Sequence, residues 1–161
     1  MEEVHRRNVI RLKEIIAESG WPGRSLVGED GAIAAWFIAQ HAIDDPPFQR
    51  KALGLQREAL ARGDIFPIGP AFLEDRICYF EGRPQIYGRQ FEVDENGNLA
   101  PYEIANAEHL NERRRALGLN SIEERTKEIR TGQEPKHPDP QTRAESQQKY
   151  KNWLSEVGWR K

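Results

Sequence analysis

Val9, Leu12, Ile15 and Ile16 recur three and four residues apart, which puts them on one face of a helix from about Glu2 to Glu18 that Gly20 and Pro22 terminate. After the loop Trp21-Pro22-Gly23-Arg24-Ser25, Asp30 is placed to cap a second helix. Its run from Ala32 to Ala39 is apolar on every side. That pattern predicts a central helix surrounded by others, with Trp36 and Phe37 in the core. Asp44-Asp45-Pro46-Pro47 then stops one helix and starts the next, because Asp45 can cap and proline suits the first helical position. Phe48, Ala52, Leu55 and Ala59 give the third helix its core face, to about Arg62, and the short link makes helices two and three an antiparallel pair. A turn-rich loop over 63–70 leads to a short fourth helix that Pro70 opens and that runs through about Tyr79.

From Pro84 the pattern changes. Gln85, Ile86 and Tyr87, then Phe91 and Val93, read as extended; Asp94-Glu95-Asn96-Gly97-Asn98 reads as a tight turn and Leu99 to Ile104 as the return strand. This predicts one β-hairpin near 85–104. Asn106 can cap a helix through Leu117 that Gly118 ends, and Ser121-Ile122-Glu123-Glu124 restarts one to about Arg130. Gln133 to Arg143, with three prolines, reads as a linker. Ala144 to Val157 reads as a last helix with Tyr150, Trp153, Leu154 and Val157 on one face, which must dock to bury its tryptophan. The expected fold is mainly α: a single helical domain over 1–132 with one small hairpin, and a linker and C-terminal helix over 133–161 packed on it.

Composition narrows the function classes. With 161 residues the chain suits one core, and a net charge of −2 gives no footprint for a polyanion, so nucleic acid is not an expected partner. The longest apolar stretch is too short to span a bilayer, and the N-terminus carries Glu2, Glu3, His5 and two arginines, so no membrane association and a cytoplasmic location are expected. Cys78 is the only cysteine; its apolar context reads as a small buried hydrophobe.

Polar residues inside or at the ends of apolar segments mark the candidate site. Gln40-His41 closes the apolar second helix, with Asp44 and Asp45 just beyond. The negative end of the helix dipole and these carboxylates would favour a protonated His41 and suit it to acid–base work. The structural alternative is that His41 caps its helix and pairs with an aspartate. Asp75-Arg76 on the fourth helix cannot both face water, so Asp75 suits orienting His41 and Arg76 suits gripping an anionic group, unless the two form a structural ion pair. Gln85, Tyr87 and Gln90 form a directional, uncharged hydrogen-bonding wall, or else satisfy loop backbone. No phosphate loop, dinucleotide fingerprint or zinc-protease motif occurs, so neither a cofactor nor a metal is expected.

Gly20-Trp21-Pro22, Val27-Gly28, Ala35-Trp36, Gln40-His41-x-x-Asp44, Phe48-Gln49, Asp75-Arg76, Gln85-x-Tyr87-Gly88-x-Gln90 and Asn111-x-Arg113-Arg114-x-x-x-Gly118-Leu119 together resemble a bacterial family of unknown function. The resemblance covers about Gly20 to Ile129, with Arg89 where the family carries a small residue, and leaves the tail from Gln133 outside. It marks positions without implying a reaction. The residues themselves raise two expectations. One is a small cofactor-independent, hydrolase-like acid–base enzyme with His41, Asp75 and Asp44 catalytic and Gln40, Arg76, Gln85, Tyr87 and Gln90 binding a polar or anionic substrate. The other is a non-catalytic module binding a small molecule or peptide through the same residues. Neither reading specifies an oligomeric state.

Overall fold

The computed structural model describes residues 2–133 and 139–160. The chain is mainly α-helical, with seven α-helices and one two-stranded hairpin among the described residues. It divides into two compact units, 1–77 and 78–161, with the boundary inside the fourth helix.

The first unit holds α1 (Glu2–Ser19), α2 (Arg24–His41), α3 (Pro46–Ala61) and the part of α4 (Ile68–Glu81) that ends at Ile77. Leu12 and Ile16 bury the α1 stripe read from their spacing. Asp45 caps α3 by accepting from the Phe48 N–H at 3.1 Å, with proline at the first positions. α2 and α3 run antiparallel. The start of α2 meets the end of α3 where the Arg24 N–H donates to Asp64 O at 2.8 Å, and Gln49 near the start of α3 reaches the carbonyls at the end of α2.

α2 differs from its prediction at both its start and its faces. It begins at Arg24, kinks at Gly28 (φ 74°), and is capped by the loop after α3 instead of by Asp30. The Asp64 carboxylate accepts from the Ser25 N–H at 2.7 Å and from the Ser25 hydroxyl at 2.9 Å. Gly23 lies so close that a Cβ there would stand 2.0 Å from Asp64 Oδ2. Nor is α2 surrounded. Ala32, Ala35 and Ala39 are buried, but Ile33 is 46% and Phe37 51% exposed, with Trp36 half-buried. The small side chains admit close neighbours on one side, while the bulky ones line an open face. An apolar pattern all round a helix does not reveal how many helices surround it.

In the second unit β1 (Phe91–Val93) pairs antiparallel with β2 (Leu99–Pro101), Phe91 opposite Pro101 and Val93 opposite Leu99. Asp94 Oδ1 pins the turn by accepting from the Asn96 and Asn98 N–H groups, both at 2.9 Å. The hairpin is shorter than predicted. Residues 85–90 are irregular apart from one bridge between Gln85 and Ile104. Gly88 (φ +70°) turns the chain there, where a Cβ would meet Ile122 Cδ1 at 2.8 Å. Asn106 also departs from expectation: it takes a left-handed conformation without capping, and the predicted helix splits into a 3-10 turn, Ala107–His109, and α5 (Leu110–Ala116). α6 (Ile122–Arg130) starts at a full capping box between Ser121 and Glu124.

α7 (Pro140–Glu156) begins behind the Asp139 cap, inside the segment read as linker, of which 134–138 lie outside the described residues. Its aromatic face docks within the second unit. The Phe80 ring lies 5.5 Å from Trp153 and 5.0 Å from Trp159, and Tyr79 stands 5.0 Å from Tyr102 and 6.3 Å from Tyr150. Burial, then neighbouring Tyr150, pushes the Tyr79 phenol well above its ordinary value. No helix among the described residues is long and apolar enough to cross a membrane.

Candidate functional site

The residues singled out from sequence fall in both units. Gln40, His41, Asp44, Asp75 and Arg76 belong to the first, and Gln85, Tyr87 and Gln90 to the second. In the first, a helix end governs the arrangement. The last carbonyls of α2 have no partner inside their own helix. Gln49 Nε2 donates to Ala39 O at 2.7 Å and Gln40 O at 3.1 Å, and Arg76 Nη1 donates to Gln40 O at 2.7 Å. Gln40, itself buried, donates to Phe72 O at 3.4 Å. Arg76 thus carries the cationic charge of this corner, and Asp75 is fully buried.

His41 stands exposed on the last turn of α2, its ring centroid 4.4 Å from Phe37 and 6.1 Å from His5. Its imidazole is held below the ordinary histidine value, by partial burial first, then by the Arg76 charge and by His5. This reverses the expected direction. The neighbours acting on the ring are cationic or titrate to cations, whereas Asp45 is taken up by Lys13 and by the α3 cap. His41 is therefore set toward its neutral form.

In the second unit Gln85 is fully buried, and its amide fastens backbone. Nε2 donates to Gln90 O and Tyr102 O, both at 2.9 Å, while Oε1 accepts from the Gln90 N–H at 2.7 Å. Arg114, 3% exposed, donates to Tyr87 O and Asn120 O, both at 2.7 Å, and Arg113 donates to Ile86 O at 2.8 Å and Ala105 O at 2.7 Å. Segment 85–90 lacks a strand partner over most of its length, and these two guanidinium groups supply donors to its carbonyls.

Sequence reasoning missed a cavity of about 270 Å³ in the first unit. α2 contributes Ala32, Ile33 and Trp36; the loop after α3 contributes Ile65 and Phe66; Trp21, Ile68 and Gly69 complete the wall around Gln56 of α3. Ile33 and Phe66, about half exposed, stand at its mouth. Gln56 is fully buried, and neither its amide nitrogen nor its oxygen has a hydrogen-bond partner among the described residues. The buried indole N–H of Trp21 is likewise unpartnered, whereas that of Trp36 donates to Gly69 O at 3.0 Å.

Gln56 did leave a signal in the sequence. Gln49, Ala52, Leu53, Gln56 and Ala59 are the buried stripe of α3 at steps of three and four, so two glutamines occupy core positions one heptad apart. A second hollow, about 550 Å³ beside α6, includes Arg130, already engaged on Leu99 O and Asp94. No group of three or more His, Cys, Asp or Glu side chains among the described residues is placed to hold a metal ion.

Comparison with curated proteins and with solved structures returned no match. A family model does match, over residues 1–133, which takes in the whole first unit and the second through α6. The chain belongs to the family of unknown function DUF6624.

Proposed function

We propose that the protein binds a small molecule and that the Gln56 cavity of the first unit is its ligand site. The observation that supports this is the buried amide of Gln56, unpartnered in a mostly apolar wall. A buried polar group left without a hydrogen bond costs about 1–3 kcal/mol. Leu or Met at the same place on α3 would fill the core without that cost. A concave, mostly apolar site with a few polar groups is the general form of a ligand pocket, and 270 Å³ lies just under the range of roughly 300–1,000 Å³ for drug-sized ligands. One- and two-ring molecules are the matching size. His41 lies outside this wall, so the reading is binding and not acid–base turnover.

Nuclear magnetic resonance of the four tryptophan indole N–H groups tests it, because Trp21 and Trp36 line the cavity while Trp153 and Trp159 lie in the second unit. Titration with naphthalene shifts the first pair saturably and leaves the second pair still. Ile33→Glu, at the exposed rim, weakens that response without unfolding the protein. Absence of a saturable shift across a set of one- and two-ring probes would refute the reading.

A further inference from the structure

We infer that the ligand of this cavity is a neutral, planar ring compound carrying a lactam or equivalent amide edge. The inference rests on the cavity being a ligand site, and it concerns what the site selects. A glutamine amide presents an N–H₂ donor beside a carbonyl acceptor, and the group that pairs with both at once has one N–H and one C=O side by side. A cyclic amide holds these two in that arrangement. The Gln56 amide is shut off from solvent in the protein alone. Its terminal torsion is broad, so it turns toward a ligand without moving α3. The indole N–H of Trp21 adds a donor for a further acceptor on the ligand.

Charge is excluded by the wall. None of the lining side chains is ionised, and Arg24, beside the mouth, lies 4.6 Å over the Phe66 ring and donates to the carbonyls of Gly63 and Asp64. A carboxylate or phosphate inside would lose its water and gain no counter-charge. Planarity follows from the aromatic wall. The indole of Trp36 is fixed by its bond to Gly69 O, and a flat ring beside it gains stacking contact. Gly69 lets the start of α4 pack closely against this wall: a Cβ there would lie 3.1 Å from Trp36 Cδ1 and 3.4 Å from Gln56 Oε1.

The test compares three bicyclic probes of similar size by calorimetry and by the indole signals. These are carbostyril, which has the lactam edge, its N-methyl derivative, which lacks the donor, and naphthalene, which lacks both groups. Carbostyril should bind the wild type about tenfold or more tightly than either analogue, the equivalent of one or two good hydrogen bonds. Gln56→Leu should bind all three alike, with the dispersed indole N–H signals of Trp21 and Trp36 showing that the variant is folded. Equal affinities in the wild type would overturn the lactam preference and leave the cavity as a ligand site. Failure of all three to bind would overturn both. A preference for carbostyril that survives in Gln56→Leu would show that another group makes the selection and would equally overturn the inference.

Discussion

Replacing Gln56 by methionine should make the ligand-free protein more stable. Methionine is unbranched and close to glutamine in volume, so the exchange keeps the filling of the α3 stripe while removing two polar atoms. Both atoms are buried without partners among the described residues. Burying an amide without compensation costs about 1–3 kcal/mol by protein mutational data, and that is the expected gain. For a chain of this length it corresponds to a rise in Tm of roughly 2–12 °C. Urea melts followed through tryptophan fluorescence, with calorimetric scans, measure it. The difference should narrow with carbostyril present. Binding at one hundred times Kd adds about 2.7 kcal/mol to the wild type, and the variant, lacking the amide, gains less. A loss of more than about 1 kcal/mol in ligand-free Gln56→Met would show that the amide is already satisfied, and would remove the physical basis for the site.

Four further outcomes follow from other parts of the structure. Gly23→Ala drives a Cβ into the Asp64 carboxylate, 2.0 Å away, and should cost about 1–3 kcal/mol in urea melts; an unchanged midpoint would contradict the cap. Chiefly through the Ser25 N–H, the folded protein holds the Asp64 carboxyl below its ordinary value, so the unfolded chain binds more protons; stability is present above about pH 4, falls as acid passes through the lowered folded value, and loses that dependence in Asp64→Asn. By proton resonance His41 should titrate below the ordinary value of about 6.5, and Arg76→Gln should move its midpoint upward; a midpoint above the ordinary value would mean that a carboxylate governs the ring. Arg114→Met leaves the carbonyls of Tyr87 and Asn120 without their donor and should cost about 3 kcal/mol or more, read by hydrogen exchange over 85–90.

Helices whose signals are local were legible in the sequence. Asp45 with Pro46, and Ser121 with Glu124, are caps complete within a few residues, and α3 and α6 begin where they stand. α1 follows its three-and-four spacing in the same way. The misread starts and faces depend on partners distant in sequence. Asp64 caps α2 from 39 residues away, which no local pattern reveals. The exposure of Phe37 depends on which sides of α2 its neighbours cover, and an apolar run carries no record of that. Candidate residues chosen for their apolar surroundings differ in burial: Gln40, Asp75 and Gln85 are buried, whereas His41 is exposed. The direction of each polar group was not legible, since loop and helix-end carbonyls compete with any ligand for the same donors.

That competition separates the buried glutamines from one another. Gln49 faces the C-terminus of α2, where carbonyls without intrahelical partners await donors, and its amide nitrogen takes two of them. Gln85 sits in irregular chain, where backbone groups have no ladder, and all of its reach is spent on Gln90 and Tyr102. Gln56 lies one heptad beyond Gln49 on the same stripe, yet across from it are the middle of α2 and the start of α4. The middle of a helix has its backbone groups bonded internally, and the nearby carbonyl of Gly69 already accepts from Trp36. One residue type on one helix face thus acts as a fastener where backbone is free and stands unused where backbone is closed. Beside Gln56 the chain forms a cavity of about 270 Å³, and Gly69 packs closely against Trp36 in its wall. A fastener with nothing to fasten is replaceable at no cost by a hydrophobic residue, and the proposed ligand is what would give the Gln56 amide a partner.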